Sequence, residues 1–131
     1  MVDREPARPA LAGKAILIVE DEYALASDLA RFLEGEGATV VGPVGTLKSA
    51  MAMVERDGAR LDAAVLDINL RTERVYPVAD ALNALGVPLV FASGYDALVM
   101  ATPYIGLPLC QKPVDKPDLA RMLATAIAGR I

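Results

Sequence analysis

The chain has 131 residues, 54% of them hydrophobic and 23% charged, which suits one globular domain with a real core. A net charge of −4 and a pI near 4.8 argue against a nucleic-acid-binding surface. Histidine is absent and Cys110 is the single cysteine, which excludes Ser/His/Asp and Cys/His catalysis, histidine metal ligation and an intrachain disulfide.

The apolar runs are too short to span a membrane. Met1 to Pro6 mixes charges of both signs without an apolar core, unlike a signal peptide, so the expected compartment is the cytoplasm. Residues 1–13, with Pro6, Pro9 and Gly13 among charges, read as a flexible leader, and 14–131 as the domain. Ala15 to Val19 is a continuous, β-branched run suited to a strand buried on both faces, and it ends in Glu20, Asp21 and Glu22. Leu25, Leu29, Phe32 and Leu33 give a helical stripe that Gly35 and Gly37 stop.

A second strand is predicted over Ala38 to Gly42, with Gly42, Pro43 and Gly45 making the turn and Thr46 capping a helix. That helix carries Leu47, Ala50, Met51 and Val54 on its apolar face and ends near Gly58. The central strand, about Leu61 to Asp67, is an apolar run that ends in one carboxylate. A polar loop, Arg71 to Arg74, leads to a helix starting near Pro77, with Val78, Leu82 and Leu85 as its stripe and Gly86 as its stop. Pro88 to Ala92 is the fourth strand, ending in Ser93 and Gly94. Ala97 to Ala101 reads as a short helix cut off by Pro103. Leu107 to Gln111 is an edge strand, marked by Pro108 and followed by Lys112 and Pro113. Asp115 caps the last helix, whose stripe is Leu119, Met122, Leu123, Ala126 and Ile127.

Five strands alternating with five helices make a (βα)5 α/β domain with a parallel sheet. Few residues follow the last helix, so no DNA-binding output domain is expected. In open α/β sheets ligands bind beyond the carboxyl ends of the strands. There the chain places Glu20, Asp21 and Glu22, then Asp67 and Asn69, then Ser93, then Lys112. Grouped carboxylates need a cation or must hold protons, and an oxygen-only donor set suits Mg²⁺. A hydroxyl and an ammonium beside a metal are what the oxygens of a phosphoryl group need, and the central acid can serve as nucleophile. Taken singly these residues have plainer readings: Glu20 and Asp21 as acids at a helix start, Asp67 as a turn residue, Lys112 as a solvated lysine.

The motifs Ile18-Val19-Glu20-Asp21, Val65-Leu66-Asp67, Phe91-Ala92-Ser93-Gly94 and Lys112-Pro113 give the chain its resemblance to a response-regulator receiver domain of two-component signalling. The resemblance covers about residues 14 to 128 and implies a flavodoxin-like, doubly wound five-stranded sheet. It implies Asp67 as phosphoacceptor, and Mg²⁺ held by Asp21, Asp67, Glu20 through water and the Asn69 carbonyl. It also implies Ser93 and Lys112 as phosphoryl ligands, with a cis Lys112–Pro113 bond. The implied function is a single-domain phosphorylation switch, not an enzyme but a phosphoacceptor that assists its own phosphorylation and dephosphorylation. A sensor histidine kinase would be the donor and a downstream protein the target, with the switch itself a monomer or weak homodimer.

Phe91-Ala92-Ser93-Gly94-Tyr95 is similar to the Phe-Ala-Thr-Gly-Tyr motif of some single-domain receivers, with serine for threonine. The usual aromatic three residues before the lysine is Leu109 here, so Tyr95, Tyr104 and the stretch after Ser93 are the candidate signalling residues. A Mg²⁺-dependent aspartyl-nucleophile phosphohydrolase is the rival reading, weakened by Asn69 where a general acid would stand. A degenerate receiver used as a docking module is the other.

Overall fold

In the computed structural model, which describes residues 10–71, 73–94, 104 and 106–130, the first apolar run is strand β1, Ala15–Val19. It is followed by α1 (Tyr23–Gly35), β2 (Thr39–Val44), α2 (Leu47–Asp57) and β3 (Ala63–Asp67). Next come two short strands, β4 (Asn69–Leu70) and β5 (Glu73–Arg74), then α3 (Tyr76–Ala84), β6 (Leu89–Ser93), β7 (Leu109–Gln111) and α4 (Lys116–Ala128). The main sheet is parallel throughout, in the order β2-β1-β3-β6-β7.

The central strands have no polar face because both of their faces are covered. Leu17, Val19, Ala64, Leu66, Leu89 and Phe91 pack with Ala50 and Val54 of α2 and Val78 and Leu82 of α3. Their neighbours Ile16, Ile18, Ala63, Val65, Val90 and Ala92 pack on the other side with Leu29 and Leu33 of α1 and Leu119 and Leu123 of α4. The period-2 alternation of a strand thus sorts one apolar run into two cores, and the doubly wound arrangement follows. All three acids that matter below then fall at the carboxyl edge of adjacent strands β1 and β3.

Several caps stand where the side chains put them. The Thr46 hydroxyl accepts from the Ser49 N–H at 3.0 Å, and the Asp115 carboxylate accepts from the Asp118 N–H at 3.0 Å. Gly86, at φ +71°, ends the third helix in the left-handed conformation that glycine takes without strain.

Five expectations need correction. Leu11 and Gly13, placed in the leader by the sequence, pack on the domain: Leu11 is fully buried in the α1/α4 core, and the Gly13 N–H donates to Gly37 O at 2.9 Å. Strand β2 runs on through Gly42 and Pro43 to Val44, because it is an edge strand that tolerates a proline at a bulge, and the Glu20 N–H resumes pairing with Val44 O at 2.9 Å. The polar loop after Asp67 is a two-stranded antiparallel hairpin, with Arg71 at φ +54° in its turn. Leu85 is 45% exposed, because α3 ends at Ala84 and its inward face is Val78, Ala79 and Leu82. Strand β7 begins at Leu109, so Pro108 precedes it, and it does lie at the sheet edge. The helix expected over Ala97 to Ala101 lies outside the described residues. Cys110 is buried as an apolar filler.

Candidate functional site

Strand ends make the site. Glu20, Asp67 and Ser93 are the buried polar or charged residues among those described, at 4%, 5% and 1% exposure, and they follow or end β1, β3 and β6. Elsewhere the sequence places apolar residues at such depth, so these three carry a desolvation cost that only a local partner offsets.

Lys112, just past β7, supplies the partner. Its Nζ lies 2.9 Å from Glu20 Oε1 and donates to Asp67 Oδ2 at 3.2 Å. The Lys112–Pro113 bond is cis, as expected, and the Lys112 N–H donates to Ser93 O at 2.7 Å. That hydrogen bond ties the lysine to the end of β6. Asp67 Oδ1 accepts the Asn69 N–H at 3.2 Å, and Glu20 Oε2 accepts the Glu22 N–H at 3.1 Å. The Ser93 hydroxyl oxygen is buried without a hydrogen-bond partner among the described residues.

Burial pushes the Glu20 carboxyl up to about 7, with the nearby Asp67 charge adding to the rise and Lys112 opposing it. Burial also raises Asp67, against the pull of Lys112. For Lys112 burial works against the charge, but the two carboxylates outweigh it and hold the ammonium above its ordinary value. Each of the three charges sets the protonation of the others, so they titrate together.

Asp21 completes the cluster. Glu20, Asp21 and Asp67 each offer a carboxylate oxygen within 4.8 Å of the others. Three carboxylates facing one ammonium suit a hard divalent cation, since all donors are oxygen. Glu22, by contrast, is exposed at the start of α1. Two contacts here were not foreseen. Lys112 sits closer to Glu20 than to Asp67, and Arg71 Nε lies 3.7 Å from Asp21 Oδ2. Only the hairpin turn brings that arginine back to the acids, and nothing in the local sequence signals it.

Leu109 is half-buried, pairs in register with Phe91 and packs into the α2/α3 core as an aliphatic residue. Tyr95 lies outside the described residues. Tyr104 is buried, and its hydroxyl donates to Asp80 Oδ1 at 2.6 Å. Its ring stacks on Tyr76 at 4.2 Å and 7°, and both rings meet Phe91 edge-on at 6.1 and 6.0 Å. The hydrogen bond to Asp80, and then burial, push the Tyr104 phenol up to about 12. No local sequence signal pairs Asp80 and Tyr76 with Tyr104, because a helical acid and an aromatic at a helix start are common.

No protein-family model matches the chain. It is 38% identical over 117 residues to the sensory transduction protein RegX3 of Mycolicibacterium smegmatis, covering 86% of this chain and 48% of that protein. It therefore spans about half the length of that curated relative. Among solved structures, SdrG from Sphingomonas melonis Fr1 is 42% identical with a TM-score of 0.76, over 91% of this chain and 98% of that one. A response regulator receiver protein from Sinorhizobium medicae WSM419 superposes with a TM-score of 0.78 at 23% identity, over 91% and 98% of the two chains, and shows the shared fold. The PhyR response regulator receiver domain of Erythrobacter litoralis does the same at 0.79 and 20%, over 92% and 95%. The likeness to SdrG runs nearly end to end in both chains, and the sheet order and strand-end acids agree with it: the chain belongs to the response-regulator receiver domains of two-component signalling.

Proposed function

We propose that the protein is a phosphorylation-dependent switch in which Asp67 accepts a phosphoryl group from the phosphohistidine of a sensor histidine kinase. The observation that carries this is the pairing of a buried strand-end carboxylate with a lysine 3.2 Å away and two further acids within 4.8 Å. Asp67 has one oxygen on the Asn69 N–H and the other on Lys112, so its orientation is set before any donor arrives.

Glu20, Asp21 and Asp67, with the Asn69 carbonyl, would hold Mg²⁺; the donor set fits that hard ion, and burial of Glu20 and Asp67 with a single lysine for the cluster favours a further cation. Bound there, Mg²⁺ supplies charge neutralisation to the phosphoryl oxygens. The chain's own groups do the rest. Asp67 attacks phosphorus, the P–N bond to the donor imidazole breaks, and an acyl phosphate forms. Lys112 is within reach to leave Glu20 and meet a phosphoryl oxygen, and the unpartnered Ser93 hydroxyl can donate to another. The switch is a phosphoacceptor that assists its own phosphorylation and dephosphorylation, and its output is contact with a downstream protein. The acidic balance of the chain speaks against nucleic acid as the direct partner of this domain. No helix among the described residues is long and apolar enough to cross a membrane.

The test is intact mass after incubation with Mg²⁺ and a small phosphodonor. A labile adduct of one phosphoryl group, lost in Asp67→Asn and without added Mg²⁺, is expected. Multiple turnover of phosphomonoesters would establish a hydrolase instead, and the absence of any adduct a docking module.

A further inference from the structure

Two lengths of chain leave the phosphoacceptor edge, and they meet again at one hydrogen bond. The first leaves β3: Ile68 O accepts the Val75 N–H at 2.9 Å, the β4–β5 hairpin returns the chain, and α3 opens on Tyr76 with Asp80 one turn further on. The second is the stretch that reaches β7 from Tyr104. Tyr104 is joined to β7 by the Leu107 N–H to Tyr104 O bond of 3.2 Å, and β7 leads directly to Lys112. The Tyr104 hydroxyl and the Asp80 carboxylate, 24 residues apart, close the ring at 2.6 Å.

From this we propose that the Tyr104–Asp80 hydrogen bond is a latch, closed while Asp67 is free and opened when Asp67 is phosphorylated, which transmits the state of Asp67 to the exposed side of α3. The proposal rests on the receiver reading above.

Three observations support a latch over a merely structural contact. The bond joins a buried hydroxyl to an acid on an otherwise exposed helix position, so its acceptor has water as an alternative partner. The Tyr104 and Tyr76 rings stack, and Phe91, edge-on to both, lies beside the site in β6: it pairs with Leu66, and Ala92 next to it pairs with Asp67. The usual aromatic position is filled by aliphatic Leu109, packed into the core without a hydroxyl to offer. Lys112 follows β7, which the Leu107 turn links to Tyr104; when Lys112 turns to the phosphoryl group, β7 and Tyr104 shift with it while Asp80 stays on α3. Tyr104 is a positioning residue in this scheme and touches no reacting atom.

The test is solution NMR of the full chain with Mg²⁺, with and without beryllofluoride as the phosphoryl mimic, for wild type, Tyr104→Phe and Asp80→Asn. In wild type the Asp80 carboxylate and the Val75 and Asp80 amides should move when the mimic binds. Without the mimic, both variants should already lie part-way along the same line of shifts. Removing the hydroxyl, or weakening its acceptor from a carboxylate to an amide oxygen, lowers the closed-to-open ratio by up to roughly tenfold. Phenylalanine keeps the ring stack, and Asp80→Asn is a surface change, so neither depends on a rebuilt core. Variant shifts that leave the free-to-bound line, or wild-type Asp80 signals that stay still while bound fluoride is seen by ¹⁹F, would overturn the latch alone. No bound fluoride in wild type would overturn the receiver reading, and the latch with it.

Discussion

Replacing Lys112 by methionine removes the ammonium that faces both Glu20 and Asp67 while keeping the aliphatic stem. At 2.9 and 3.2 Å, each contact represents a gross attraction of about 5–6 kcal/mol at an effective dielectric near 20. Much of that is already spent against desolvation, and stripping one partner from a buried pair costs about 3–5 kcal/mol. Two features lower the figure here. The lysine side chain is 22% exposed, so water enters when it goes. Glu20, pushed up to about 7 by burial, can take a proton near neutrality at little cost, which leaves one stranded charge instead of two. We therefore expect a loss of about 2 kcal/mol at pH 7 without Mg²⁺, or a Tm lower by roughly 6–10 °C. The sign with pH follows from linkage. Losing the ammonium raises both carboxyl pKa values further above their unfolded values, so the folded variant binds more protons than the unfolded chain. Its stability is then held at pH 5 and lost as pH rises through 7 and beyond. Urea unfolding at pH 5 and pH 8, with and without Mg²⁺, reads this directly, with Mg²⁺ restoring more at pH 8. Equal destabilisation at both pH values, or none at either, would refute the shared counter-ion.

Asp21→Asn should weaken Mg²⁺ binding by at least tenfold in a calorimetric or NMR titration, with the fold retained, since Asp21 is the most solvent-facing acid of the cluster. Thr46→Ala should cost about 1 kcal/mol in urea unfolding through loss of the Ser49 cap, without altering phosphorylation of Asp67. Gly37→Ala should cost more, about 1–3 kcal/mol, because Gly37 sits at φ +92° and a Cβ there would lie 2.9 Å from Ala12 Cα. For Tyr104 the folded phenol is pushed up from 10 to about 12, so its contribution is full below pH 10 and lost as pH rises toward 12. Alkaline unfolding of wild type should steepen across that window relative to Tyr104→Phe, and superimposable curves would contradict the hydroxyl's role.

Local order along the chain decided a great deal of this molecule. The runs Ala15–Val19, Ala63–Asp67 and Leu89–Ser93 are apolar on both faces, and a strand buried on both faces belongs at the centre of a parallel sheet. The helical stripes around Leu29, Val54 and Leu119 and the caps Thr46 and Asp115 are equally local, because one turn of helix brings their partners together. Polar residues at the ends of those runs marked Glu20, Asp67 and Ser93, since depth without a partner is costly and calls for a reason, and Lys112 stood at the end of the edge strand.

What local order does not contain is which groups meet across the sheet edge. Lys112 is 45 residues from Asp67, and only the pairing of β6 with β1's neighbour β3 and with β7 brings its Nζ to Oδ2 and, closer still, to Glu20. The extension of β2 through Pro43, the burial of Leu11 and the return of Arg71 toward Asp21 likewise depend on pairing and turn geometry, not on neighbouring residue types. The Tyr104–Asp80 bond belongs with them. A side chain's residue type fixes what it can donate or accept, but its partner is fixed by where the sheet and helices place it, and for Tyr104 the packing of α3 against β6 made that choice.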